Sequence, residues 1–283
     1  MSSSNIRHKK KIIDGICYAC LIVFSLIAIF PFFWLISSSL RNEMDVLRPT
    51  LLPPKITFES YEYVLKYSPF ITWFYNSTFI SLIATTISVF IAGLAAYSFS
   101  RFTSKTKKIL SRTILFAYMF PGVLMILPLF ILFVRCGLLD TRFGLIIAYA
   151  TSSLPFSMWL LTAYYETIPQ EIDQAARIDG ASNMQLFWRI IVPIAKPGLA
   201  TAAIFTFINA WNEFLLALIL INSDTKKTLP VGLYAQMGGK AGEMVLWNVR
   251  MASSVLVILP MFIIFILLNR KITEGLTAGA VKG

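Results

Sequence analysis

Six stretches of this chain, residues 15–40, 69–100, 113–134, 143–165, 197–223 and 251–269, are apolar, and five of them contain no Asp, Glu, Lys or Arg. The other, 197–223, holds one such residue, Glu213. Each reaches the roughly 20 residues needed to cross ~30 Å of hydrocarbon as a helix. Lipid offers backbone groups no partners, which leaves helices or closed barrels as the spanning structures. No alternation at period two runs through these stretches, and barrel strands are about half as long. The pattern therefore predicts an all-α membrane protein with six transmembrane helices, at about 15–38, 70–98, 112–134, 143–164, 198–221 and 251–269. Composition agrees: 14% of residues are charged, where a water-soluble domain carries about 25%.

A net charge of +11 invites a nucleic-acid reading. The basic residues sort instead by side of the membrane. An even number of spans places both termini together, and taking that side as cytoplasmic puts 15 of the 25 Lys and Arg inside. The two densest clusters, at 7–11 and 101–112, are among them. This is the bias that orients membrane proteins, and no nucleic-acid partner is expected.

Cys17 and Cys20 form a CxxC inside an apolar helix, and Cys136 stands alone. A metal or redox centre needs polar surroundings and further ligands, so packing is the expected role. The first apolar stretch is too long for the core of a cleaved signal peptide. No GxxxxGK[ST] loop occurs, so no phosphate cradle of that type is expected. A short basic tail (1–11), one membrane domain (12–270) and a C-terminal tail (271–283) account for the chain. Between the first two spans, Pro49, Pro53 and Pro54 argue against a long helix, while 58–67 suits a short helix at the membrane surface.

Two features do not belong in a plain bundle. The first is the loop 166–197, 32 residues long and polar. Pro169 suits a helix start, with Glu171 and Asp173 favouring the positive end of the helix dipole. Ile168, Ile172, Ala175, Ala176 and Asp179 follow at helical spacing, and Gly180 suits the left-handed residue that ends a helix. Met184, Phe187, Trp188 and Ile191 form a second helical face before Pro193 and Pro197. The pattern predicts two short helices hinged at Gly180, either folded on their own bundle or presenting Ala175 and Ala176 to another protein.

The second is a polar stripe in the fifth span. Thr206, Asn209, Asn212 and Glu213 share a face. At ~1.5 Å per residue, Asn209 lies near mid-membrane, with Phe205, Phe207, Trp211 and Phe214 around it. A carboxylate at such depth faces a water-filled cavity or a partner. Amides, a carboxylate and aromatic faces suit a sugar, and they equally suit hydrogen bonds between helices. Asn76 and Ser77 are expected to cap backbone groups or touch substrate, Pro121, Gly122 and Pro128 to loosen the third span, and Gly93 to permit close packing.

The loop resembles the signature of ABC importer permeases, EAA-x-x-x-G-x9-I-x-L-P. Here it runs Gln174-Ala175-Ala176, Gly180, Ile190, Val192-Pro193. Gln174 replaces the usual Glu and Val192 the usual Leu, so docking through this loop is expected to rest on shape more than on one ion pair. The DGA at 179–181 is typical of the carbohydrate branch, and FYNSTFIS (74–81), AAYSFSR (95–101), GLLDTRFGLIIAY (137–149), AWNEF (210–214) and LTAGAVKG (276–283) extend the likeness along the chain. The whole is similar to a MalG-type permease of a sugar importer. That resemblance implies a type I importer fold, a second MalF-like permease, two ATPase subunits that hold ATP and Mg, and an extracytoplasmic solute-binding protein. This chain would bind no cofactor and catalyse no reaction. Glu171, Gln174, Ala175, Ala176, Asp179, Gly180, Ile190 and Pro193 would belong to a coupling helix seated on an ATPase, which the C-terminal tail would also reach. Thr206, Asn209, Trp211, Asn212 and Glu213 would line the substrate pathway.

Two other classes compete. An ion-coupled secondary transporter using Glu213 would need repeat-related halves and broken helices, and the sequence predicts neither. A membrane-bound enzyme or sensor finds no support in the lone His8.

Overall fold

The computed structural model describes the backbone of residues 3–46, 50–102, 119–237 and 246–280, with scattered positions between 105 and 116. Side chains are described within that set from 11 to 266, positions 12 and 237 aside. Arg48, Pro49, Lys107, Lys108, Arg112 and Lys240 lie outside the described residues, as does part of the expected start of the third span. All regular structure among the described residues is helical.

The helices are α1 (Ser3–Ser39), α2 (Glu59–Tyr67), α3 (Phe70–Arg101), α4 (Gly122–Arg135), α5 (Arg142–Glu166), α6 (Gln170–Ile178), α7 (Asn183–Ile194), α8 (Lys196–Asn212), α9 (Leu215–Leu220), α10 (Leu229–Met237) and α11 (Trp247–Ala280). Four segments are long and apolar enough to cross a membrane: Ile13–Ser39, Phe70–Arg101, Arg142–Glu166 and Trp247–Ile266. The pair α7–α8, bent by 78°, passes the same test only when its two helices are counted as one span. Among the described residues of the expected third span, the continuous helix is the 14 residues of α4, with Pro121 immediately before it, and Thr113, Ile114 and Phe116 are helical as well. The fifth expected span, 198–221, is divided, because Glu213 is extended (φ −67°, ψ 126°) and the helix resumes only at Leu215. The helical backbone also continues through both expected tails, from Ser3 and to Ala280.

The chain divides into two compact units, residues 1–68 with 239–259 and residues 69–238 with 260–283. In the first, Arg41 is fully buried and organises the turn after α1. Its guanidinium donates to the Thr50 hydroxyl (3.1 Å), the Thr50 carbonyl and Ser37 Oγ (3.2 Å), and lies 5.3 Å from the centre of the Trp34 ring. A buried cation needs such donors' partners because desolvation is costly. The 58–67 segment is helical, as its pattern predicts, with a Lys66–Glu62 pair at 2.7 Å on its exposed face.

In the second unit, α3, α5 and α8 pack together. Ile80, Ala84, Leu145, Tyr149 and Ala210 are core residues towards one end, and Ala92, Tyr97, Leu161, Tyr165 and Ala202 towards the other. Small residues set the helix separations. A Cβ on Gly198 would lie 2.5 Å from the Tyr164 ring, so α5 and α8 close on bare backbone. Ser157 and Thr206 share a buried hydrogen bond of 2.8 Å between the same two helices, the interhelical glue expected where water is absent.

Candidate functional site

At the α6 end, Pro169 precedes the first helical residue and Gly180 takes φ +82° just past the last, as the sequence predicts. Ser182 then opens α7 with a reciprocal cap: its hydroxyl accepts from the Gln185 amide (3.3 Å), and Gln185 Oε1 accepts from the Ser182 amide (2.9 Å). Residues 187–191 are π-helical, a widened turn often found at functional positions.

The faces of α6 differ from the expected ones. Ile168, Asp173 and Ala176 are buried against the chain's own bundle, whereas Glu171, Gln174, Ala175, Asp179 and Gly180 are exposed. Ala176 is therefore a core residue and offers no docking surface, because the inward face follows 168, 172, 173 and 176. Ile178 is 86% exposed. Ile190 is half-buried and Pro193 exposed. Asp173 pairs with Arg101 Nε at 2.9 Å, and both side chains are nearly inaccessible, at 8% and 3%. Rings attach the same loop to α3: Phe187 lies 5.1 Å from Tyr97, and Trp188 6.0 Å from Phe90.

The polar stripe is dispersed. A cavity of about 220 Å³ is lined by Tyr149, Ser152, Ser153, Phe156, Asn209, Ala210 and Glu213. Of the five expected pathway residues only Asn209 and Glu213 reach it. Thr206 is committed to Ser157. Trp211 is 2% exposed and packs against Phe207 and Phe74, and Asn212 donates to its own helix at Ile208 (2.9 Å). Glu213 accepts from the amides of Leu216 (2.8 Å) and Ala217 (3.1 Å), so it caps the helix that follows the break. Tyr149 donates to the Glu213 carbonyl at 3.3 Å. The α5 contributors had a sequence signal, because 149, 152, 153 and 156 are polar or aromatic at helical spacing in a charge-free stretch.

At the opposite end of the unit from α6, two loops are clasped. Asp140, at φ +54°, accepts from the amides of Asn222 (3.0 Å) and Ser223 (2.9 Å), from the Ser223 hydroxyl, and from Lys226 Nζ (3.0 Å). The Ser223 bonds, hydroxyl first, hold its carboxyl well below the usual carboxylate range. Asn76 donates to the carbonyls of Thr225 (3.0 Å) and Lys227 (2.9 Å), and Ser77 Oγ accepts from the Leu229 amide (2.7 Å). Both thus bond loop backbone. Thr141 caps α5 through the Gly144 amide (2.9 Å), and a Cβ on Gly144 would lie 2.4 Å from the Leu138 carbonyl.

The described residues thus form a bundle of apolar helices with a buttressed polar loop and a small cavity between α5 and α8. The chain belongs to the family described as binding-protein-dependent transport system inner membrane component, whose family profile matches residues 88–278. It is 37% identical over 279 residues to the Escherichia coli inner membrane ABC transporter permease protein YcjP, covering 97% of this chain and 99% of that one. It is 36% identical to the trehalose/maltose transport system permease protein MalG of Thermococcus litoralis, covering 93% and 94%. The fold matches a chain in the crystal structure of a bacterial ABC transporter that imports the acidic polysaccharide alginate, with TM-score 0.84, 27% identity, and coverage of 95% and 98%. The protein is a multi-pass inner-membrane permease of the carbohydrate ABC importer class and not itself an enzyme.

Proposed function

We propose that this chain forms half of the transmembrane pathway for a sugar or oligosaccharide delivered by an extracytoplasmic solute-binding protein. A MalF-like permease supplies the other half, and the loop 166–197 couples both to two separate ATPase subunits that hold ATP and Mg. The observation that carries this reading is the outward face of α6. Glu171, Gln174, Ala175 and Asp179 lie exposed there with Ile178, an isoleucine 86% accessible in a polar loop. A short exposed helix with a small residue at 175 and an apolar one three positions on, at 178, suits the groove of a second protein. Gln174 brings no charge, so shape governs the contact.

The 220 Å³ cavity offers Asn209, Ser152 and Ser153 for hydroxyl groups and Phe156 for a C–H face. It is smaller than the ~300 Å³ of the smallest typical ligand pockets and fits one sugar ring of a longer substrate. Relatives in Mycobacterium tuberculosis and T. litoralis are named for trehalose and for trehalose/maltose transport. Those two disaccharides are the first to test. Membranes bearing the assembled complex should take up labelled disaccharide only with ATP inside and the loaded binding protein outside. Uptake driven by an ion gradient without ATP would overturn the proposal.

A further inference from the structure

The loop joins the bundle in series where α7 gives way to α8 at Ala195. The packing shows a second, lateral attachment. Arg101 is the last residue of α3, and Asp173 lies in the first turn of α6. Their contact of 2.9 Å is almost completely screened from solvent. Tyr97, one turn before Arg101, packs on Phe187 of α7, so both short helices are fixed to the same end of α3.

A buried ion pair is a poor source of net stability, because both charges lose water. Its distinctive property is intolerance of separation: pulling the partners apart leaves two bare charges in a low-dielectric interior. The pair is thus stiff towards displacement of α6 relative to α3. Among the described residues, Arg177 on α6 and Tyr97 on α3 are charged or titratable groups near it, and Arg177 is exposed.

We propose that Arg101 and Asp173 form a strut that moves α3 as one body with α6, making them positioning residues for the conformational change in the membrane. The proposal rests on the coupling role assigned to the 166–197 loop. The complex is reconstituted with its partner permease and ATPases, Cys17, Cys20 and Cys136 are replaced by Ser, and Asn209→Cys reports the cavity through its alkylation rate with N-ethylmaleimide. In the parent complex, ATP with vanadate should change that rate. Asp173→Asn and Arg101→Gln should retain the ATPases on co-purification yet reduce the change at least tenfold, and the exchange Arg101→Asp/Asp173→Arg should restore most of it. A parent-like response in both single variants overturns the strut. Should the single variants fail to assemble, Arg101→Cys/Asp173→Cys, with Asn209 restored, is bridged in membranes by a short bis-thiosulfonate, and the response is read as stimulation of ATP hydrolysis by the loaded binding protein. A bridged complex that still responds supports a strut intact in both states, and one that no longer responds overturns it. A parent complex that binds no ATPase defeats the coupling reading itself, a distinct result.

Discussion

Asp140 accepts the Ser223 amide at 2.9 Å, and in doing so fixes the chain entering α5 to the chain leaving α9. The same carboxylate holds Lys226 at 3.0 Å, and Asn76 at the head of α3 binds the carbonyls on either side of that lysine. Three helices are thereby joined through backbone groups of a single loop.

Asp140→Asn should lower the thermal midpoint by several degrees, since hydrogen bonds to a charged group contribute about 1.5–3 kcal/mol each and part of the set survives. The pH dependence has a definite sign. The folded carboxyl titrates well below the ordinary aspartate value of about 3.9, so its contribution is complete well above that value and declines as pH falls from there towards the folded value. The difference between parent and variant, measured by thermal denaturation in detergent, should stay constant from pH 8 to pH 5. A gap that closes across that window would show that Asp140 is not held ionised by these bonds.

Ala175 and Ala176 are neighbours with opposite surroundings. Ala175→Arg should leave the permease folded and abolish co-purification of the ATPase. Ala176→Arg must insert a cation into the contact between α6 and the bundle, at a site 6% exposed, and should destabilise the permease by about 3 kcal/mol or more. Yield after extraction and ATPase pull-down separate the two effects.

Glu213→Ala removes the acceptor for two amides and should cost about 0.5–2 kcal/mol at the start of α9. Glu213→Gln keeps one carbonyl acceptor and should retain most uptake. Neither variant should make uptake more sensitive to a protonophore. A change in protonophore sensitivity with Glu213→Gln would return the ion-coupled reading to consideration.

Gly198→Ala brings a methyl group 2.5 Å from the Tyr164 ring, and Gly232→Ala brings one 2.1 Å from Trp73. Each should destabilise by about 1–3 kcal/mol through overpacking. Gly93→Ala, whose nearest new contact is Tyr165 Oη at 3.5 Å, should be nearly neutral. Melting of the three purified variants gives the ranking.

Much of this was legible in sequence because the deciding terms were local. Charge-free runs mark helices in lipid, Pro169 and Gly180 bound α6, and the twenty-residue loop pattern identifies the family. What escaped depended on which way a helix is rotated. Ala175 and Ala176 are equally small, and only packing on the bundle decides that 176 turns inward. Glu213 continues the helical spacing of Asn209, yet its carboxylate satisfies amides of the following segment and the helix stops there. Tyr149, Ser152, Ser153 and Phe156 carried a periodic signal that the more polar fifth span overshadowed. Asp140 offered only an acidic residue in a loop, and its partners lie some 80 residues away.

The 78° break at Ala195 has a mechanical consequence. A load directed along α7 meets α8 nearly side-on, so it arrives as torque with little thrust. Driven by a partner as proposed, the two segments would work as a crank, small tilts of the short arm sweeping the far end of the long one, where Asn209 and the unwound residue Glu213 sit. An importer gate built this way would open by swinging, without a helix sliding through the bilayer.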